Sequence, residues 1–172
     1  MADNNLFIID DRSSDNNQTA LVTPWRLVTD TVMGGVSKGT LIVDNIKDRS
    51  CLRLNGEVSL ENNGGFIQAA LDISTNSVFD ASVYRGVFLD VYGNNESYNI
   101  HLRTTDVQYP WQSYRSSFIA KDEWQTLEFL FSKFKAYRIS TPLDTKRLTR
   151  IGIVAIGHEF FADLCIARIG FY

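Results

Sequence analysis

Hydrophobic and polar residues alternate along most of this chain with a period of two, which is typical of β-strands that bury one face. In the segment 98–104, for example, Ile100 and Leu102 alternate with His101 and Arg103. Turn-forming residues interrupt such runs about every ten positions, as in all-β sandwiches. The pattern predicts an all-β fold, an antiparallel β-sandwich, with its clearest strands at 40–44, 51–58, 66–73, 87–92, 98–104, 114–119, 126–131, 151–155 and 162–172.

Helical patterning is weak. The best stretch, 132–137, is too short and too aromatic for a stable helix. We expect only one or two helical turns, one of them at 142–148, where Thr141 is an N-cap candidate and Pro142 occupies the first helical position.

The length of 172 residues and the hydrophobic content of 44% fit one domain with a full core. We therefore expect a single β-sandwich domain over 1–172. Its first 20 residues would hold a first strand at 6–9 and a flexible polar segment at 13–18.

Charge and hydropathy argue against a nucleic-acid partner, a membrane-spanning helix and a targeting segment. The chain carries 17 Lys and Arg against 20 Asp and Glu and has no dense basic cluster, so no nucleic-acid partner is expected. No apolar run approaches the roughly 18 residues that would suggest a membrane-spanning helix. Asp3, Asp10 and Asp11 near the N-terminus argue against a secretory signal or a transit peptide, and a cytoplasmic location is predicted.

The cysteines and histidines do not indicate a disulfide or a metal site. Cys51 and Cys165 lie far apart in apolar runs and are predicted to be buried, reduced and unpaired. His101 and His158 are separated by many residues, so no metal site and no cofactor are expected.

Catalytic motifs are also lacking. The glycine-rich segment 33–40 resembles a phosphate-binding loop, but Lys38 precedes Gly39 and a strand follows, so a structural loop is favoured. No nucleophile sits in a strand-turn-helix elbow. The chain is predicted not to be an enzyme. A minority alternative is an enzyme with a carboxylate pair drawn from Asp30, Glu57, Glu61, Asp90 and Asp106.

The segment 106–115 is the richest candidate site. Tyr109 and Trp111 flank Pro110, and side chains of this kind bind sugars or peptides. Alternatively, these aromatic residues cap the end of the core. Trp25 and Trp124 are predicted to be core residues. The proposed ligand- or partner-binding residues are Arg103, Tyr109, Trp111, Gln112 and Tyr114, with Asn62 and Asp30 at the rim.

Two glycine-containing motifs carry a family resemblance: D-T-V-M-G-G-V-S at 30–37 and E-N-N-G-G-F at 61–66. With Trp25 before them and the strand motifs after them, the chain from 25 to 172 resembles the complex I intermediate-associated protein 30 family. One departure is Ile67-Gln68, where the family usually shows Ser and then Arg. In both motif loops we expect glycines at positive φ, namely Gly34, Gly35, Gly64 or Gly65.

The resemblance implies a galactose-binding-like jelly roll, related in shape to carbohydrate-binding modules. For mitochondrial members it also implies a chaperone-like role in assembling respiratory complex I. The first functional hypothesis is therefore a non-catalytic binding domain with a protein partner, such as a membrane-complex subunit during assembly. The alternative is a carbohydrate or small-ligand module that uses the exposed aromatic face.

Overall fold

The computed structural model describes residues 5–13, 23–73 and 78–172, which contain twelve strands. The strands are β1 (Phe7–Asp10), β2 (Arg26–Thr29), β3 (Lys38–Ile46), β4 (Arg49–Val58), β5 (Phe66–Asp72), β6 (Gly86–Tyr92), β7 (Glu96–Thr104), β8 (Ser113–Ala120), β9 (Gln125–Leu130), β10 (Lys135–Tyr137), β11 (Leu148–Ile156) and β12 (Phe160–Phe171).

The strands form two antiparallel sheets, as predicted. The first sheet has the order β3-β4-β12-β6-β9, and β1 also pairs with β12. The second sheet has the order β10-β8-β7-β11-β5-β2. Their inner faces share one core, to which Leu54, Leu89 and Leu164 contribute from the first sheet and Ile100 and Ile153 from the second.

The described residues contain more helical turns than expected. They hold four short 3-10 helices, at Asp30–Met33, Glu61–Asn63, Phe131–Lys133 and Thr145–Arg147. The last falls within the predicted turn at 142–148, but its N-cap is Asp144, whose side chain accepts a hydrogen bond from the Lys146 N–H. The expectation that Thr141 caps this turn is therefore wrong. No described helix is long and apolar enough to cross a membrane.

The two tryptophans assigned to the core differ. Trp25 is 3% exposed and lies in the core, where its indole N–H donates to the Asp10 carboxylate at 2.8 Å. Trp124 instead packs on the outer face of the first sheet, with its ring centroid 5.6 Å from that of Tyr92. Its indole N–H reaches the Ile46 carbonyl at 3.2 Å. Trp124 is therefore packed against a second, smaller apolar cluster and not in the main core between the sheets.

The cysteines are buried, but they are not unpaired. Cys51 and Cys165 are fully buried on the neighbouring strands β4 and β12, with their Cα atoms 5.4 Å apart and their sulfurs bonded to each other. The prediction of two free thiols is wrong, because strand pairing joins residues that are 114 positions apart in sequence.

The predicted N-terminal strand is present. The predicted first strand at 6–9 corresponds to β1, which pairs with the end of β12. Apart from Ser13, the predicted flexible segment at 13–18 lies outside the described residues.

Candidate functional site

The two glycine-containing motifs meet at one buried carboxylate, Asp30. Asp30 directly follows β2 and is fully buried. Its Oδ1 accepts from the Ser37 N–H at 3.0 Å, and its Oδ2 accepts from the Gly65 N–H at 2.6 Å and the Phe66 N–H at 3.3 Å. The Ser37 hydroxyl also donates to Oδ2. Asp30 therefore ties the two motif loops together, and its burial removes it from the predicted rim of a binding face.

The motif glycines make room for this carboxylate. A Cβ added at Gly35 would lie 2.4 Å from Asp30 Cγ, and one added at Gly64 would lie 2.5 Å from Asp30 Oδ2. Gly34 and Gly65 adopt positive φ, as predicted for some of these positions, with values of 85° and 140°. The glycines thus serve packing and turning around Asp30, which accounts for their presence without a phosphate ligand.

Asn62, the other predicted rim residue, lies at the wrong end of the second sheet. It is exposed in the 3-10 helix Glu61–Asn63, which directly precedes β5. Arg103 is level with the last residue of β5, because Arg150 pairs with both Arg103 and Asp72. The structure therefore separates Asn62 from Arg103 by the length of β5.

The outer face of the second sheet carries an excess of positive charge. We call this surface the arginine face and define it by Arg26, Arg103, Arg115, Arg150 and Asp72. Asp72 is the one carboxylate among the outward-facing positions of these strands, all of which the structure describes. The other carboxylate of the same strands, Glu96, lies at the opposite end of β7 and pairs with His158.

Two of the arginines share Asp72. The Asp72 carboxylate accepts from Arg150 Nε at 2.9 Å and from Arg26 Nε at 3.3 Å. Burial works to raise the pKa of Asp72, but these hydrogen bonds outweigh it and hold the pKa below its usual value. Among the described residues, Arg103 forms neither a hydrogen bond nor an ion pair.

The other half of the arginine face is built around Tyr137 on β10. The Arg115 guanidinium lies 3.6 Å from the Tyr137 ring centroid, and that of Arg138 lies 5.4 Å away. His101 is the neighbour of Arg115 across β7 and β8. Burial, assisted by the positive charge of Arg115, lowers the pKa of His101 to about 3, so this imidazole is neutral at neutral pH.

The outer face of the first sheet differs because its arginines are paired with carboxylates. Arg53 donates to both oxygens of Asp163 at 2.7 Å and to Asp44 at 2.9 Å. Asp90 accepts from Arg168 and Arg49. Each arginine of these strands is therefore paired with a carboxylate, whereas among the described residues Arg103 and Arg115 of the arginine face are not.

The loop between β7 and β8 presents two exposed aromatic rings beside the arginine face. We call residues 105–112 the aromatic loop. Tyr109 is 48% exposed and Trp111 is 51% exposed, and their rings stack in parallel with centroids 4.9 Å apart. Gln112 supports this conformation: its Oε1 accepts from the N–H groups of Gln108 and Tyr109, and its Nε2 donates to the Arg138 carbonyl.

Comparison with known proteins assigns the chain to a family. The profile of the family described as Complex I intermediate-associated protein 30 matches residues 14–163. The chain belongs to this family. No curated protein sequence matches the chain.

Solved structures similar to this family member include carbohydrate-binding modules. The family 11 module of the cellulosomal cellulase Lic26A-Cel5E of Clostridium thermocellum has 14% identity and a TM-score of 0.74, with coverage of 96% of this chain and 93% of that one. A family 11 module in complex with a β-1,3-1,4-mixed-linked tetrasaccharide has 13% identity and a TM-score of 0.74, with coverage of 96% and 94%.

A family 30 module from the C. thermocellum cellulase Cel9D-Cel44B has 16% identity and a TM-score of 0.64, with coverage of 86% of this chain and 90% of that one. At these identities the similarity shows the fold alone. It agrees with the galactose-binding-like jelly roll that the resemblance to the Complex I intermediate-associated protein 30 family implied.

Within the family fold, the predicted site residues separate into two groups. Arg103 lies on the arginine face, and Tyr109, Trp111 and Gln112 lie on the adjoining aromatic loop. Tyr114 is fully buried, and its hydroxyl donates to the Thr141 carbonyl at 2.6 Å. Its ring points inward because it lies at an inner position of β8, so its prediction as a surface ligand contact is wrong.

On and beside this surface, sequence reasoning missed Arg26, Arg150 and Tyr137. Arg115 lay in the candidate segment 106–115 but was not among the proposed binding residues. Arg150 precedes the predicted strand at 151–155 by one position. Had that strand been extended, the alternation would have placed Arg150 opposite to the inward-facing Ile151. Tyr137 belongs to a three-residue strand with no clear alternating pattern. In the described residues, no group of three or more His, Cys, Asp or Glu side chains is placed to hold a metal ion.

Proposed function

We propose that this chain is a non-catalytic binding domain whose partner is a protein, and that the partner binds the arginine face and the aromatic loop. The observation that carries this proposal is the set of unneutralised arginines on one sheet beside the exposed Tyr109–Trp111 stack. Arginine, tyrosine and tryptophan are the residues most enriched at protein-protein hot spots. The charge excess favours a partner surface that carries carboxylates.

Three of the five candidate catalytic acids are engaged by structural partners, which supports a binding role. Asp30 is buried between the motif loops, Asp90 pairs with Arg49 and Arg168, and Asp106 pairs with Arg147. A general acid or nucleophile needs access to the substrate, and these carboxylates are committed to structural partners. From the family membership we further propose a subunit of a membrane complex, bound during assembly, as the partner class.

Carbohydrate is the second candidate ligand, because Tyr109 and Trp111 expose about half of their surface and aromatic rings stack on sugars. Several ring faces are already covered, however. Tyr109 and Trp111 cover one face of each other, and Arg115 lies over Tyr137. The Gln112 amide is already used, by the Gln108 N–H of the loop and by the Arg138 carbonyl beyond β10. This arrangement leaves fewer open platforms for a sugar and favours the protein partner.

The predicted cytoplasmic location stays a prediction. The bond between Cys51 and Cys165 argues against it, since disulfides form and persist mainly in oxidising compartments.

The test compares three forms of the chain as bait in crosslinking capture from the source cells: the wild type, Trp111→Ala and Phe161→Ala. Phe161 is the matched control, because it is 53% exposed but lies on β12 of the first sheet. We expect the wild type and Phe161→Ala to capture the same proteins and Trp111→Ala to lose them. Capture that is identical for all three baits would refute the proposed surface.

Affinity electrophoresis in gels containing β-1,3-1,4-mixed-linked glucan tests the second candidate. Retardation of the wild type that Trp111→Ala abolishes would favour carbohydrate over protein. Because Trp111 is half exposed and its main aromatic contact is Tyr109, we expect its replacement to lower the free energy of unfolding by no more than about 1.5 kcal/mol, so a loss of binding would not reflect unfolding.

A further inference from the structure

A cavity of about 500 Å³ opens where the arginine face meets the aromatic loop. Arg103 and Arg150 line it together with Asp72, Val107 and the threonines Thr104, Thr105 and Thr149. The guanidinium groups supply N–H donors, and Thr105 and Thr149 supply hydroxyls, so the lining is rich in groups that bind anions. We call this the Arg103 cavity.

Charge in and beside the cavity is not balanced. Arg150 and Arg26 both donate to Asp72, the one carboxylate in the lining. Arg103 lies level with Arg150 on the adjacent strand, and among the described residues it has no carboxylate partner of its own. One carboxylate therefore faces three guanidinium groups, and Arg103 is the group left without a hydrogen bond.

Arg103 is also partly removed from water. Burial and the nearby charge of Arg150 lower the pKa of Arg103, although a guanidinium stays protonated at neutral pH. A partly desolvated cation gains more from an incoming anion than a fully hydrated one does. On the first sheet of the same chain, Arg53 shows the satisfied arrangement, with Asp163 bound through two parallel hydrogen bonds.

We propose that the Arg103 cavity is a carboxylate-binding site and that it takes an aspartate or glutamate side chain of the protein partner. The planar guanidinium of Arg103 matches a carboxylate in a two-bond geometry, and the threonine hydroxyls can donate to its oxygens. A protein source is favoured because the aromatic loop that contributes Thr105 and Val107 to the lining also carries the exposed Tyr109–Trp111 stack, and aromatic residues and arginine are enriched at protein interfaces. This inference rests on the proposed function and adds the chemistry of the group that is recognised.

The test uses two small probes that differ only in charge, N-acetyl-glutamate-α-methylamide and N-acetyl-glutamine-α-methylamide, at equal ionic strength. The readout is the Arg103 Nε–Hε signal in proton-nitrogen NMR spectra of the whole chain. We expect a saturable shift with the glutamate probe and none with the glutamine probe. An equal response to both probes, or no response to either, would overturn the carboxylate site.

Two variants test whether the shift of the NMR signal comes from binding in the cavity or from the net charge of the protein. Arg103→Gln should weaken binding of the glutamate probe by about tenfold or more, followed through the Arg150 Nε–Hε signal, because it removes a charge-assisted hydrogen bond. Lys135→Gln is the matched control, since it removes one positive charge from an exposed residue that pairs with Arg115 on the same sheet. It should leave binding unchanged. Equal weakening by both variants would reduce the effect to net charge and overturn the proposal.

Arg103→Lys keeps the charge but loses the planar fork, and we expect it to bind the glutamate probe with intermediate affinity. This variant keeps the test decisive if Arg103→Gln does not fold. Glucuronate, an acidic sugar, is tested as a separate probe in the same measurement. Binding of glucuronate without binding of the glutamate probe would overturn the assignment to a protein carboxylate.

Failure of this inference can be distinguished from failure of the proposed function. If capture depends on Trp111 but Arg103→Gln captures the same proteins and the glutamate probe causes no shift, the proposed function stands and the carboxylate site is rejected. If the glutamate probe binds but no captured protein depends on Trp111, the protein source is rejected along with the proposed function.

Discussion

Asp30 shows how one residue can explain two sequence motifs. Its carboxylate accepts backbone hydrogen bonds from Ser37 in the first motif and from Gly65 and Phe66 in the second. Gly35 and Gly64 lie against it so closely that a methyl group would collide with the carboxylate. The first motif, part of which resembled a phosphate-binding loop, and the second motif are therefore the two halves of one buried polar cluster.

We predict that Asp30→Ala lowers the free energy of unfolding by about 2–4 kcal/mol, because buried N–H donors would lose their acceptor. Gly34→Ala is the control in the same loop: its φ of 85° strains a substituted residue, but no atom lies within 4 Å of the added Cβ. We expect it to cost about 1 kcal/mol. Urea unfolding measures both, and equal losses would show that Asp30 does not organise the motif loops.

At the scale of an element, the aromatic loop is held by side-chain hydrogen bonds rather than by a strand ladder. Gln112 alone accepts two backbone N–H groups of the loop and donates to the Arg138 carbonyl beyond β10. It thereby connects the Tyr109–Trp111 stack to the strand that carries Tyr137. Gln112 acts as a support for the exposed rings, a different role from the ligand contact that the sequence suggested.

Gln112→Ala should therefore free the loop without unfolding the domain. We expect the amide protons of Gln108 and Tyr109 to exchange with solvent about five to ten times faster, since a hydrogen bond contributes about 1 kcal/mol. Gln108→Ala is the matched control. The substitution removes an exposed side chain from the same loop but keeps the backbone N–H of residue 108, which donates to Gln112 Oε1. Unchanged exchange rates in Gln112→Ala would contradict this role.

At the scale of the whole molecule, the two outer faces have different electrostatic character. The first sheet pairs its arginines with carboxylates, whereas the second leaves Arg103 and Arg115 without one. The second face also contains His101, whose protonation is suppressed by burial and by Arg115. Global stability should therefore respond to acid through this histidine.

The sign of the pH dependence follows from the two pKa values of His101. The ordinary pKa is 6.5, and in the folded chain the value falls to about 3. The unfolded chain thus gains a proton as the pH falls through 6.5, while the folded chain stays unprotonated until about 3. Protonation favours the unfolded state throughout this window, so stability falls as the pH is lowered.

We predict that the wild type is less stable at about pH 5 than at about pH 7.5 and that His101→Gln reduces this difference. This range lies above the ordinary aspartate pKa of 3.8, which limits the contribution of carboxylates such as Asp72 and Asp90. His158→Gln, at the exposed histidine that pairs with Glu96, should retain the wild-type difference. Denaturant unfolding at both pH values provides the measurement. A stability difference in His101→Gln as large as that of the wild type would contradict the assignment of the pH dependence to His101.

The sequence by itself determined the fold class, most of the strands and the family. Alternation within a strand is a local property, because burial of one face requires an apolar residue at every second position. The same local chemistry singled out Tyr109 and Trp111 as a candidate site, but it left open whether the two rings are exposed or cap the core. Glycines at positive φ were also predictable from their place in tight loops, as Gly34 and Gly65 show.

Only the tertiary structure decided which distant residues meet. Strand register joins Cys51 to Cys165 and sets Arg103 level with Arg150 and Asp72. It also turns Tyr114 inward and buries Asp30 between loops that are separated in the chain. Local patterns carry no information on which strands become neighbours. The charge imbalance of the arginine face therefore became visible only when β5, β7 and β11 were paired, because it depends on charges brought together from separate segments.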